Sequence, residues 1–124
     1  MNHPDTVFDH YFTSLGNIAN KVLAVGGNSS GNNQVEIFDI ETNRWTTNSS
    51  FAFCSRIFRY AVVSRESSAF IIGGNCDSSY TSRIAKYTLD SWTDVGNLQT
   101  TRYGPRAIQN ENRIYVVGGE DTQS

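Results

Sequence analysis

The chain has 124 residues, 38% apolar and 12% aromatic, with a formal net charge of −2. That supplies enough apolar side chain for a packed core, and scattered lysines and arginines leave no electrostatic footprint for nucleic acid or an anionic membrane. The first residues show no basic segment followed by an apolar one, and no apolar run reaches membrane-spanning length, which favours a cytoplasmic protein unless a secretion signal stood upstream.

Residues 1–9 are polar and contain Pro4, so they are expected to form a disordered leader. A first strand is expected around residues 11–17, followed by a turn at 17–20. Strands at 21–25, 34–39 and 44–46 come next, with Glu41, Thr42 and Asn43 as a polar hairpin turn. A second set is expected at 59–64, 69–72, 82–88 and 92–95. A last pair at 106–109 and 113–117 flanks a turn at 110–112.

One motif recurs through these elements. The run from Val22 to Val25 ends in Gly26 and Gly27, and it returns before Gly73 and Gly74 and again before Gly118 and Gly119. The first glycines are spaced by 47 and 45 residues, and Trp45 and Trp92 each follow theirs by 19. Arg56 and Arg102 precede the next pair by 17 and 16. A period in this range signals a solenoid, a propeller or an array.

The segment with Glu36, Ile37, Phe38, Asp39, Thr42, Asn43 and Trp45 resembles the kelch repeat. Arg102, Gly104 and the run from Arg113 to Gly119 resemble the upstream half of the same repeat. The second copy departs from the pattern: no Glu precedes Tyr87, and Tyr87 lies closer to Trp92 than Phe38 does to Trp45.

The resemblance implies an all-β fold of kelch-type β-propeller blades, each a four-stranded antiparallel sheet. Residues 10–50 would form blade 1, 51–97 blade 2, and 98–124 the first two strands of a third. At roughly 50 residues per blade this is an incomplete ring, whose uncovered blade faces are expected to favour self-association. In this reading the tryptophans pack between blades, and the glycine pairs let the chain leave each strand and the next blade approach.

Antiparallel blades sort the loops. Residues 28–33, 48–58, 75–81 and 97–103 are expected on one face, a Ser- and Asn-rich set interspersed with Phe58, Tyr80, Tyr103, Arg56, Arg59 and Arg102. Adaptable polar groups with aromatic and arginine anchors suit a protein or peptide partner. By resemblance to kelch proteins that bind acidic peptides, Arg56, Arg59 and Arg102 are the candidate ligand-facing arginines. The alternative is that Arg56 and Arg102 cap strand ends and pair with neighbouring carboxylates.

Cys54 and Cys76, the only cysteines, lie at the ends of segments that pair, so a bridge and two reduced thiols are both open. Asn28 and Asn48 each open a glycosylation pattern, read first as coincidence in an Asn- and Ser-rich chain. The histidines are His3 and His10 alone, so no histidine metal site, cofactor or catalytic constellation is expected. Asp39 with Glu41 is read as turn chemistry, and Glu120 with Asp121 as the start of a loop. The leading expectation is a non-catalytic protein-binding segment of adaptor or scaffold type. The alternatives are an extracellular, disulfide-linked and glycosylated segment, or part of an enzyme whose catalytic residues lie on other blades.

Overall fold

The structure, a computed structural model, describes residues 15–27, 33–48, 50–88 and 91–121. The expected leader, most of the expected first strand and most of the 28–33 loop fall outside these residues. Every described element is a β-strand. Strands β1 (Leu15–Ile18), β2 (Lys21–Val25), β3 (Val35–Asp39) and β4 (Arg44–Thr47) form a sheet in chain order. After β5 (Ile57–Phe58) come β6 (Ala61–Arg65), β7 (Ser68–Ile72), β8 (Asn75–Cys76), β9 (Ser79–Tyr80), β10 (Arg83–Thr88) and β11 (Ser91–Asn97). The second sheet runs β6, β7, β10, β11, again antiparallel throughout. Strands β12 (Arg106–Asn110) and β13 (Arg113–Val117) make the last hairpin. These are propeller blades: two four-stranded sheets and the first hairpin of a third.

Alternation along the strands decides what each face covers. Leu23, Val25 and Val35 of the first sheet meet Ala69, Ile71, Ala85 and Tyr87 of the second, with Ile18, Phe51, Ile57 and Tyr60 filling the seam. The opposite face of the second sheet buries Ala61, Val63 and Ile72 against Ala107, Ile114 and Val116 of the third. Trp92 lies in the first seam, edge-on to Phe51 at 4.7 Å and tilted against Tyr87 at 4.9 Å. Trp45 packs on Phe38 at 5.2 Å, on the other face of its own sheet.

The glycine pairs latch one blade to the next. The Gly27 N–H donates to the Ile57 carbonyl and the Gly74 N–H to the Arg102 carbonyl, each at 2.7 Å. A side chain has no room at these latches. Gly26 has φ of 67° and a Cβ there would run into the Ile57 carbonyl; at Gly74 (φ 95°) it would lie 2.7 Å from the Phe58 carbonyl. The latch also puts Ile57, not Arg56, in the position that Arg102 holds one repeat later. The two arginines are therefore not equivalent, and their spacings of 17 and 16 record that offset.

The outward face of the last hairpin carries Ile108 at 67%, Tyr115 at 47% and Val117 at 66% exposure. Val63, Phe70 and Ile72 hold the matching positions in the second sheet, where the third sheet covers them.

Where plain loops were expected at 48–58 and 75–81, the structure has a small sheet of order β5, β8, β9. Its tight turn is Asp77-Ser78, both left-handed, with φ of 52° and 72°. Two successive residues with positive φ give the turn that best matches strand twist. Strands of two residues are too short to show a period in sequence.

Candidate functional site

The small sheet carries most of the candidate residues to one place. Phe58 lies on β5, Tyr80 on β9, and Tyr103 enters through a bridge with Glu120. The Tyr80 and Tyr103 rings stack at 4.5 Å with 5° between their planes. Phe58, itself buried, meets Tyr103 edge-on at 6.1 Å. Offset-stacked and edge-to-face pairs are the favoured ring geometries, so the three form one aromatic ledge.

Arginines line the ledge. The Arg59 guanidinium lies 5.5 Å from the Tyr103 ring centre, and that of Arg56 lies 5.5 Å from Phe58. Arg56 also donates to the Ser78 hydroxyl at 2.8 Å. Arg59 is exposed and left-handed, with φ of 52°. That conformation is unfavourable for a side chain with a Cβ, and the Gly104 N–H secures it by donating to the Arg59 carbonyl at 2.9 Å.

Arg102 does not join this group. Its guanidinium donates to the Gly118 carbonyl at 2.8 Å while its own carbonyl receives the Gly74 latch. The side chain closes a strand end, on a backbone carbonyl where the alternative raised from sequence expected a carboxylate. Arg56, Phe58, Arg59, Tyr80 and Tyr103 come together, and Arg102 stands beside them in a structural role.

Sequence reading missed two acidic members. Glu120 accepts a hydrogen bond from the Tyr80 hydroxyl at 3.2 Å, and its backbone is fixed by a reciprocal pair with Tyr103 at 2.8 and 2.9 Å. Desolvation, then the bond to Glu120, pushes the Tyr80 hydroxyl above the ordinary tyrosine range. Asp77 accepts from the Ser55 hydroxyl at 2.7 Å and from the Ser55 N–H at 3.1 Å. Those bonds hold its carboxyl below the usual carboxylate value. The glycine phase could have found Glu120. Its bridge with Tyr103 repeats the pairing of Phe58 with Asn75 one blade earlier.

Cys54 and Cys76 form a disulfide with Cα atoms 5.8 Å apart. It ties the segment leading into β5 to the β8–β9 hairpin, beside Ser55–Asp77 and Arg56–Ser78. Asp39 acts as turn chemistry, its carboxylate accepting from the Glu41 and Thr42 N–H groups at 2.9 and 3.2 Å. Among the described residues, no three His, Cys, Asp or Glu side chains group as metal ligands would. The three loops thus bring together the rings of Phe58, Tyr80 and Tyr103, the guanidinium groups of Arg56 and Arg59 and the carboxylate of Glu120.

Residues 10–48 match the kelch motif. The chain is 34% identical over 107 residues to Kelch-like protein 25 of Xenopus tropicalis, an alignment covering 80% of this chain and 17% of that protein. It is 33% identical over 67 residues to an F-box/kelch-repeat protein of Arabidopsis thaliana, covering 54% of this chain and 17% of the relative. The alignments thus span 17% of the length of each of these curated relatives. The solved structure of YjhT superposes with a TM-score of 0.78 at 15% identity, over 94% of this chain and 40% of that one. This last likeness is one of fold.

Proposed function

From the premise that this chain is a stretch of kelch repeats folded as propeller blades, we propose that it is a non-catalytic binding segment. Its loop face, built by residues 54–59, 75–81 and 101–104, receives a protein or peptide partner. The observation that carries this reading is the convergence of Arg56, Phe58, Arg59, Tyr80 and Tyr103, from three separate loops, on one ledge. Rings and arginines are the side chains that dominate binding energy where they are held in place.

The test is a selection of randomised 12-residue peptides on the intact chain, counter-screened on an Arg59→Ala, Tyr80→Ala variant. Peptides that lose at least tenfold in affinity on the variant support the reading. Enriched peptides that bind both proteins equally, or an absence of enrichment, refute it.

The Cys54–Cys76 bond gives specific support to a second reading, an extracellular segment, since structural disulfides persist in oxidising compartments. Mass spectrometry of the protein from its native source decides this: a Cys54–Cys76 linked peptide with glycan on Asn28 or Asn48 favours it, and free thiols with bare asparagines exclude it.

A further inference from the structure

The ledge is charged differently at its two ends. Arg59 stands over Tyr103 and Arg56 over Phe58, whereas Glu120 sits at the Tyr80 hydroxyl. The order is guanidinium, ring, ring, carboxylate. We propose that the partner segment is bipolar: an acidic side chain pairs with Arg59, an apolar or aromatic residue lies along the Tyr80–Tyr103 stack, and a basic side chain reaches Glu120. This inference rests on the loop face being the binding site, and it specifies the chemistry of what binds there.

Geometry fixes the two poles relative to each other. Tyr103 and Gly104 are adjacent; the first holds the Glu120 backbone through its reciprocal pair and the second holds the Arg59 carbonyl. Both charged side chains are exposed, so neither pole is locked inside the protein. A ligand therefore meets a preset arrangement and loses less conformational freedom in matching it. The carboxylate also acts against an all-acidic ligand, because a like charge placed at Glu120 is repelled, and such repulsion is a recognised source of specificity. The poles are joined by ring contacts of 5.5 and 4.5 Å and a hydrogen bond of 3.2 Å across the Tyr80 ring, and an extended peptide advances about 3.3 Å per residue, so the acidic and basic positions should lie within about five residues of each other.

The test uses peptides selected as above, sequenced and then measured by fluorescence anisotropy on the intact chain, Arg59→Glu, Glu120→Gln and Glu120→Lys. The expected set carries an acidic and a basic residue flanking an apolar one. Arg59→Glu should weaken these peptides at least tenfold, and Glu120→Lys at least fivefold. Replacing the peptide's basic residue by Ala should abolish the difference between wild type and Glu120→Gln. If purely acidic peptides are enriched and bind Glu120→Lys as tightly as wild type or more so, the bipolar assignment is overturned while the loop-face reading stands. If no enriched peptide depends on Arg59 or Tyr80, both fall. Matching thermal midpoints of the Glu120 variants and wild type confirm intact folding, as expected for an exposed residue.

Discussion

The Tyr60 hydroxyl donates a 2.6 Å hydrogen bond to the carbonyl of Val25, joining the end of a first-blade strand to the segment that opens the second. Both residues are buried. Removing the hydroxyl therefore leaves an acceptor without this donor in a place water cannot easily reach. Tyr60→Phe should lower unfolding stability by roughly 1 to 2 kcal/mol, measured by denaturant titration. Tyr115→Phe, on an exposed face, should change it by less than about 0.5 kcal/mol.

The glycine latches make a graded prediction. Gly26→Ala combines a left-handed backbone with a clash against the Ile57 carbonyl, whereas a Cβ at Gly118 meets no atom within 4 Å although φ is 75°. Gly118→Ala should cost only the backbone preference, about 1 to 2 kcal/mol. Gly26→Ala should cost clearly more or prevent folding, and equal thermal midpoints for the two variants would contradict the latch.

Breaking the covalent tie is the next case. The Cys54–Cys76 bond closes a sequence separation of 22 residues, for which chain-entropy reasoning gives ~3 kcal/mol of stabilisation. Cys54→Ser with Cys76→Ser should lower the chemical midpoint correspondingly. Thiol titration of the folded, non-reduced protein should find no reactive sulfhydryl, and two would contradict the bond.

Acid sensitivity follows from Asp77. Its carboxyl titrates below the ordinary 3.8 because the folded protein supplies the Ser55 hydroxyl and N–H. A carboxylate with a lowered folded value contributes stability above its unfolded value and loses it as pH falls through the folded one. Asp77→Asn, compatible with the left-handed backbone at φ 52°, should flatten the stability profile below about pH 4. The group is exposed, so the change in slope is small; an unchanged profile would show that the Ser55 contacts do not favour the ionised form.

Sequence legibility stopped where periodicity stopped. The unbroken apolar, branched runs before Gly26, Gly73 and Gly118 recur at a fixed period, and each became a strand at its expected phase. The β8–β9 hairpin was invisible because its strands have two residues each, and its turn depends on Asp77 and Ser78 adopting positive φ, which many residue pairs can do at some cost. Phe58, Tyr80 and Tyr103 were legible as loop aromatics but not as a stack, because their contact depends on that hairpin. Arg102 matched Arg56 by near-spacing, and only the hydrogen-bonded latch shows that they occupy different positions. Glu120 was read as a loop opening since its partner, Tyr80, lies 40 residues away.

Amide hydrogen exchange of the chain, alone and with a selected peptide bound, tests the central claim most directly. Slowed exchange confined to residues 55–60, 75–81 and 102–104 is the result expected if the aromatic ledge is the binding face. Protection on the exposed face of the last hairpin, around Ile108, Tyr115 and Val117, with those loops unchanged, would contradict it.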